Sequence, residues 1–567
     1  MPKPVFKSNY QNQTSMFPYD FDSFVDKSHP VRLISQVVDQ LDISSLIDTY
    51  KGGGTSSYHP RMLLKLVIFG YLNNLYSSRK IARAVKENIH FIWLSGQSFP
   101  DHRTINNFRG KRLKENIETI FTQVVLFLYE QGYVSLEEVF TDGTKIESVA
   151  NRYTFVWKKT TERNKSNLEK KIQTVLNEID KAISQDNDIL TDDIEKQGVK
   201  PISSEELHEK IEQINKKLKS RKDSYTLKKK VEKLQREALP KLLEYEEHLN
   251  ILGERNSYSK TDRDATFMRM KEDHMQNGQL KPAYNAQIST ENNFITNFSL
   301  HQNPGDTTTF QDHLNSFDTR YNRYPVRSIA DAGYGSLENY DFLEEKHIEP
   351  FVKYNYFHKE QTKKFKSDIR HIENLYYNEL EDYFVCPIGQ KMSLVRKETK
   401  KSSQGYPYEV HIYQAINCSN CPLRGACHKQ QGNREIDVNK RLIRHKQKVR
   451  EKLTSEQGLE LRKRRCPEVE QTFGQLKSNK GFKRFLLRGL PKVTVELGLL
   501  SIAHNMQKMC TLILGDGQFF VFEVFFRLKN AFIVFLKQVK AKIHPAGIPP
   551  HSNQKITIEI IKFKEAA

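Results

Sequence analysis

The sequence predicts an α/β core, preceded by an all-α region and interrupted by a helical, coiled-coil-like insertion and by a cysteine-bearing one. Three observations lead there. Apolar, strand-like runs ending on an acidic residue with glycine close by recur around Asp142 and Asp331. A heptad-like stretch from 159 to 258 separates the two, and four cysteines gather between 386 and 427. At 567 residues the chain exceeds one core and implies several modules. Lys plus Arg number 89 against 69 Asp plus Glu, a formal charge of +20, which favours an anionic partner, nucleic acid above membrane.

Residues 1–125 read as short helices. One starts after Pro60, a second opens at Ser77 as N-cap, and Pro100-Asp101 caps a third with Arg103, Asn106, Asn107 and Arg109 on it. A short basic helix with paired asparagines suits a helix-turn-helix reader of DNA; a plain helical bundle gives the same pattern. The opening residues, Met1 to Ser8, lack the apolar stretch of a signal peptide. The most membrane-like run, Phe519 to Val539, carries Glu523, Arg527, Lys529 and Lys537, so an amphipathic packing helix is expected there. Six cysteines in so long a chain make no disulfide scaffold, which suggests a reducing, cytoplasmic setting.

Asp142 lies in Glu138-Val-Phe-Thr-Asp-Gly-Thr-Lys-Ile-Glu, where Asp-Gly reads either as a hairpin turn or as the end of a strand projecting a carboxylate. Strands follow at Ala283 to Thr290 and Phe294 to Leu300, with a turn from Gln302 to Asp306. In Val326-Arg-Ser-Ile-Ala-Asp331-Ala-Gly-Tyr-Gly a buried strand runs into an acidic residue and a turn, then a helix (Leu337 to Lys346) and a strand at Glu349. That puts Asp331 at the carboxyl end of a strand, where α/β sheets place ligands; capping of the next helix is the other reading.

Leu168, Ile172, Val175 and Ile179, then Leu207, Ile211, Ile214 and Leu218, then Leu227, Val231, Leu234 and Ala238, keep a four-three-four spacing. With a polar break from Asp186 to Lys200, this predicts an antiparallel helical hairpin or coiled coil, an arm on DNA or a second subunit, or a spacer. Cys418 and Cys421 have the two-residue gap of a zinc knuckle, and Cys386 and Cys427 would complete a structural tetrahedron; free cysteines are the alternative.

A basic approach (Lys440 to Arg450, Arg462 to Arg465) leads into Arg465-Cys-Pro-Glu-Val-Glu-Gln-Thr-Phe-Gly-Gln-Leu-Lys. Pro467 suits the first position of a helix, on which Glu470 and Lys477 point the same way, followed by Arg484 and Arg488. A carboxylate beside an amine and arginines suits a metal site against a phosphate backbone; an amphipathic surface helix has the same charge pattern. Asp142, Asp331 and Glu470 on separate elements are what a two-metal phosphoryl-transfer site requires, with hard oxygens favouring Mg²⁺ over zinc.

Thr141-Asp-Gly-Thr-Lys-Ile-Glu-Ser, Ala330-Asp-Ala-Gly-Tyr-Gly-Ser and Val469-Glu-Gln-Thr-Phe-Gly-Gln-Leu-Lys resemble the acidic motifs of DDE transposases from bacterial insertion sequences. The helical insertion and the cysteine cluster are most similar to the eleven-eighty-two group, related to the insertion-sequence-four/five-like transposases. The resemblance implies a ribonuclease H-like core in which Asp142, Asp331 and Glu470 bind two Mg²⁺ ions, Mn²⁺ being an alternative. It also implies hydrolytic nicking at element ends, then attack of the 3′-OH on target DNA. Lys477 matches the lysine of that family's Tyr-Arg-Glu-Lys signature; Arg465 stands one position from its arginine, and its tyrosine has no counterpart. The domains expected are a DNA-binding region at 1–125, core segments at 126–158, 259–356 and 441–510, insertions at 159–258 and 357–440, and a tail at 511–567. Expected partners are double-stranded DNA (element end repeats and target) and further copies of the chain, in the bacterial nucleoid and without a membrane. A DNA-binding protein without catalysis, or a two-metal nuclease without strand transfer, satisfies the same residues.

Overall fold

The computed structural model describes residues 20–50, 56–185, 201–219, 225–270, 278–402, 405–429 and 431–515. The opening residues, the polar break from Asp186 to Lys200 and the run from Phe519 to Val539 lie outside them. One compact unit spans Met1–Lys508; a second, Met509–Ala567, is described only to residue 515. Among the described residues no helix is long and apolar enough to cross a membrane.

A mixed sheet organises the first unit. Its strands are β1 (Glu138–Glu147), β2 (Thr266–Arg269), β3 (Leu280–Glu291), β4 (Phe294–His301), β5 (Arg327–Ala330) and β6 (Glu349–Val352). The order is β2-β3-β1-β5-β6, with β4 also on β3. β3 is antiparallel to β1, β2 and β4, whereas β1, β5 and β6 run parallel. Asn292 and Asn293 both have positive φ (51° and 57°), the backbone a two-residue hairpin needs, and so turn β3 into β4. The edge of β4 is closed by a side chain: Asn505 accepts from the Ile295 amide (2.8 Å) and donates to its carbonyl (2.8 Å).

β1 contradicts both readings of Asp142, the hairpin turn and the strand end, since the strand continues to Glu147. Asp142-Gly143 lies in mid-strand, in register with Ile288 and Gln287 of β3. β5, however, pairs with β1 only over Glu138–Phe140, so Asp142 stands just where the parallel neighbour stops. Further on, the chain near Arg484 takes the neighbouring place: Phe485 donates to the Glu147 carbonyl (2.9 Å).

Over the open stretch between lies the acidic helix. It runs as α-helix over Glu456–Arg465, a π turn over Cys466–Glu470, α over Gln471–Gly474 and a second π turn over Gln475–Asn479. Pro467 is therefore inside a continuous helical run and does not open one. An interior proline has no N–H to give and crowds the carbonyl four residues back, and the wider turn absorbs both. The turn's loosened carbonyls, Pro467 and Glu468, accept from the Asn293 side chain, and Glu468 in return accepts from the Asn293 amide (2.6 Å).

The N-terminal helices fall where expected, at Pro60–Leu72, Ser78–Glu87 and His102–Asn107, the last with Asp101 accepting from the Thr104 amide (2.7 Å). Helices Lys158–Gln185 and Ser204–Lys219 and one helical run over 225–252, which passes through a π turn at Leu234–Ala238, share one core of Ile172, Ile179, Leu207, Ile211, Leu234 and Leu242. Most of the heptad residues are buried and Leu168, Val175 and Leu227 are half-buried, but among the described residues they are shared by three helical runs, one more than a two-helix hairpin has. Strands Phe155–Trp157 and Ser257–Ser259 pair at its base. The cysteine-bearing segment is a five-stranded antiparallel meander from Tyr376 to Val438.

His504 couples this frame to pH. It donates to the Asn293 carbonyl (2.9 Å), and burial, with Lys480 and Lys508 nearby, pushes its pKa down to about 4. An imidazole depressed from 6.5 supports folding fully above pH 6.5 and loses that support as pH falls toward 4. Stability should drop by about 3 kcal/mol over that window from this group. Denaturant melts of wild type and His504→Gln at pH 7 and 4.5 check it, the variant showing the smaller fall.

Candidate active site

The three acids meet at one cation. The Arg465 guanidinium lies 3.6 Å from Asp142 Oδ1, 3.7 Å from Asp331 Oδ2 and 2.9 Å from Glu470 Oε1. The π turn makes this possible. Five residues along an α-helix point about 140° apart, whereas the i to i+5 pitch of a π turn sets them on one face. Arg465 and Asp142 are buried, while the side chains of Asp331 and Glu470 keep 44% and 52% of their exposure, so the cluster opens to solvent on one side.

Each aspartate is oriented by backbone: the Gly143 amide donates to Asp142 Oδ1 (2.9 Å) and the Gly333 amide to Asp331 Oδ1 (2.9 Å). Gly143 is needed for space, since a Cβ there would come 2.2 Å from Gln287 Nε2 and 2.7 Å from Asp306 Oδ1. Gly335 is needed too, because its Cβ would sit 2.3 Å from the Lys353 carbonyl. Asp306 accepts from Asn285 and Gln287 (2.9 Å each), and Tyr334 donates to Gln287. Burial first, then the negative charges of Asp306, Asp142 and Asp331, hold the Tyr334 phenol far above its ordinary value. Lys353, just past β6, is held below the ordinary lysine value by burial and by Arg465 and Arg462. Sequence reasoning missed Asp306, Tyr334 and Lys353. No local motif marks them, because their neighbourhood is made by β3 crossing β1 and by β6 lying beside β5.

The expected DNA contacts divide. Arg103, Asn106 and Asn107 are exposed on His102–Asn107, and Arg484 and Arg488 are exposed while bonding the carbonyls of Ser148 and Val149 (3.1 and 3.3 Å). Lys477 is buried, its Nζ donating to the Lys145 carbonyl (3.1 Å) on the open stretch of β1. Arg465 is buried among the acids. Arg109 is 2% exposed and sits in the core, bonded to Tyr71 (3.2 Å) and the Tyr76 carbonyl and paired with Glu496 (3.7 Å), so it does not face DNA. Much of the basic run on Lys440–Thr454 is paired internally, Arg441 with Asp341, Lys448 with Glu344 and Arg450 with Glu360.

Cys386, Cys418, Cys421 and Cys427 line one small cavity of about 20 Å³ with His428 and Arg434. Backbone amides of Gln390 and Arg434 donate to Cys386 and Cys418 (3.3 Å each), and the Arg434 guanidinium to Cys427 (2.9 Å). Among the described residues no group of three or more His, Cys, Asp or Glu is disposed to hold a metal ion. In the acid cluster, the Arg465 side chain stands among the three carboxylates.

Residues 385–510 match a family model described as a transposase DDE domain. Residues 19–111 match another, described as a transposase domain (DUF772). The two matches support a DDE transposase. The first contains Glu470 and all four clustered cysteines and the second contains Arg103 to Arg109, while Asp142 and Asp331 lie outside both. No curated protein and no solved structure matches the chain.

Replacing Arg109 by Met should cost about 3–5 kcal/mol, because it strands a buried Glu496. Urea denaturation at pH 7 measures it, and at matched folded fraction the variant should keep its DNA affinity.

Proposed function

We propose that the chain is a transposase that cuts DNA at element ends and joins the freed 3′-OH to target DNA, with Asp142, Asp331 and Glu470 as its acidic site. The observation that carries this reading is the convergence of three carboxylates, from mid-strand, strand end and helix, on one small solvent-facing cluster. The strand order β4-β3-β1-β5-β6, antiparallel in its first half and parallel in its second, supports a ribonuclease H-like core.

The donor types suit a hard divalent ion, while the three carboxylates as placed are gathered around Arg465 and not around an ion position. All ligands are carboxylate oxygens, two already oriented by amides, and the cluster already accommodates a cation in the form of Arg465. Mg²⁺ or Mn²⁺ held by these three acids would supply activation of the attacking oxygen and stabilisation of the leaving one. The protein's own groups do the rest. Lys353, within electrostatic reach of Asp331, Arg465 and Arg462, would meet a scissile phosphate that favours its charged form. Arg484 and Arg488 offer exposed cations next to β1 for the flanking backbone, and Arg103, Asn106 and Asn107 offer base-edge contacts. A structural Zn²⁺ on Cys386, Cys418, Cys421 and Cys427 rests on the two-residue gap between Cys418 and Cys421, the four thiols as placed forming no metal-holding group. A homodimer or larger assembly on DNA accords with cutting two element ends. The one observation favouring a DNA-binding protein without catalysis is Arg465 itself, which neutralises part of the acid cluster.

Asp142→Asn, Asp331→Asn and Glu470→Gln should each lower Mg²⁺-dependent cleavage of DNA carrying the flanking inverted repeats by at least about a hundredfold, with DNA binding retained. Near-wild-type cleavage in all three removes the enzyme reading. Elemental analysis should find close to one zinc per chain, lost in Cys418→Ser; a chain purified without chelator and free of zinc retires that site.

A further inference from the structure

Arg465 has an unusual position for a residue next to a phosphoryl-transfer centre. Its guanidinium touches all three acids, yet only Glu470 is within hydrogen-bond distance, and its buried Nε has no partner. It is a cation held by proximity to charge more than by well-formed bonds. Resting on the acid-site reading above, we propose that Arg465 is an internal stand-in for the metal: it keeps the three carboxylates assembled while no ion is bound, and it must swing out before a pair of divalent ions can occupy the site.

Charge balance favours exchange over coexistence. Counting only the groups that would touch the ions, three carboxylates and one scissile phosphate diester bring four negative charges, which two divalent ions match. Arg465 would add a fifth positive charge in the same space. Distance favours exchange as well. Mg²⁺ binds oxygen at about 2.0–2.1 Å, and at equal dielectric a double charge there attracts a carboxylate roughly three times as strongly as a guanidinium at 3.6 Å. Dehydration of the ion offsets part of that advantage, so Arg465 competes and raises the metal concentration needed. Asp142 is buried on one side of Arg465, whereas the side chains of Asp331 and Glu470 keep 44% and 52% of their exposure on the other. The released side chain therefore moves toward the open face flanked by Asp331 and Glu470, where a DNA phosphate would meet it. Arg465 is in this sense a positioning residue, acting through the acids.

A merely structural arginine and a stand-in predict opposite effects on metal affinity. The test uses the full chain, stripped of metal and without DNA, titrated with Mn²⁺ alone and followed by the electron paramagnetic resonance of the free ion. Arg465→Met should bind Mn²⁺ about tenfold or more tightly than wild type. Its melting temperature without metal should be lower, and Mn²⁺ should raise it more than it raises that of wild type. Arg465→Lys keeps the charge without the fork that spans three acids. It should also bind more tightly than wild type, and it serves if the Met variant does not fold. Affinity in the folded variants equal to or weaker than wild type, with wild-type binding still lost in Asp142→Asn, overturns the stand-in and leaves the acid site standing. Mn²⁺ binding that is absent, or indifferent to Asp142→Asn in every protein, overturns both.

Discussion

The site depends on an unfinished pairing. β5 accompanies β1 only as far as Phe140, and the chain near Arg484 does not take up the neighbouring place until Glu147. Backbone groups on the stretch between need partners, since a buried, unpaired carbonyl or amide costs as much as a lost hydrogen bond. The acidic helix covers that stretch, with Lys477 answering the Lys145 carbonyl. Docking the helix there is what brings Glu470 to Asp142. The helix is fixed from outside as well: Arg464 pairs with Glu138 (3.2 Å) and Asn293 bonds the π turn.

Polar side chains, more than apolar packing, set the geometry around the acids. Gln287 and Asn285 of β3 hold Asp306, Tyr334 closes on Gln287, and Thr307 donates to the Gly333 carbonyl (2.7 Å). The loop after β4 is thereby tied to the loop bearing Asp331. Such a network is costly when half satisfied and directional when complete, which suits a site whose carboxylates must stay aimed despite their repulsion. Gly143 leaves the room for it, so the Asp-Gly pair serves a close approach inside a strand.

That pair shows how far the sequence can be read. Asp142, Asp331 and Glu470 are recognisable because each ends or interrupts an apolar pattern at a point exposed to chemistry. The hairpin reading of Asp-Gly presumed that the flanking residues pair with each other, but both pair with β3, some 140 residues further on, and no local signal carries that. The position of Arg465 is invisible for a related reason. Regular α geometry places it away from Glu470, and the π turn that reunites them depends on Pro467 together with a turn residue, Asn293, from another hairpin. Arg109 misled for a simpler reason: charge on a short helix says nothing of the buried Glu496 contributed by a helix nearly four hundred residues later. The heptads gave the buried faces correctly, because burial follows periodicity, while the number of helices sharing them follows from where the chain turns.

A sheet whose strands come from distant parts of the chain must tolerate what lies between them. The helical segment between β1 and β2 leaves at Trp157 and returns at Ser257, and those ends pair antiparallel, Trp157 with Ser257 and Phe155 with Ser259. The helical bundle buries its own apolar faces and so asks nothing of the sheet. Closing a loop costs entropy that grows only logarithmically with length, so once the base is clamped, the hundred residues beyond it hardly alter the free energy of bringing β1 and β3 together. The same reasoning explains why acids so distant in sequence can form one cluster. Their separation is spanned by units that fold on themselves, and the precision of the site rests on the few residues, Gly143, Gln287, Asn293 and Arg465, that bind one core segment to the next.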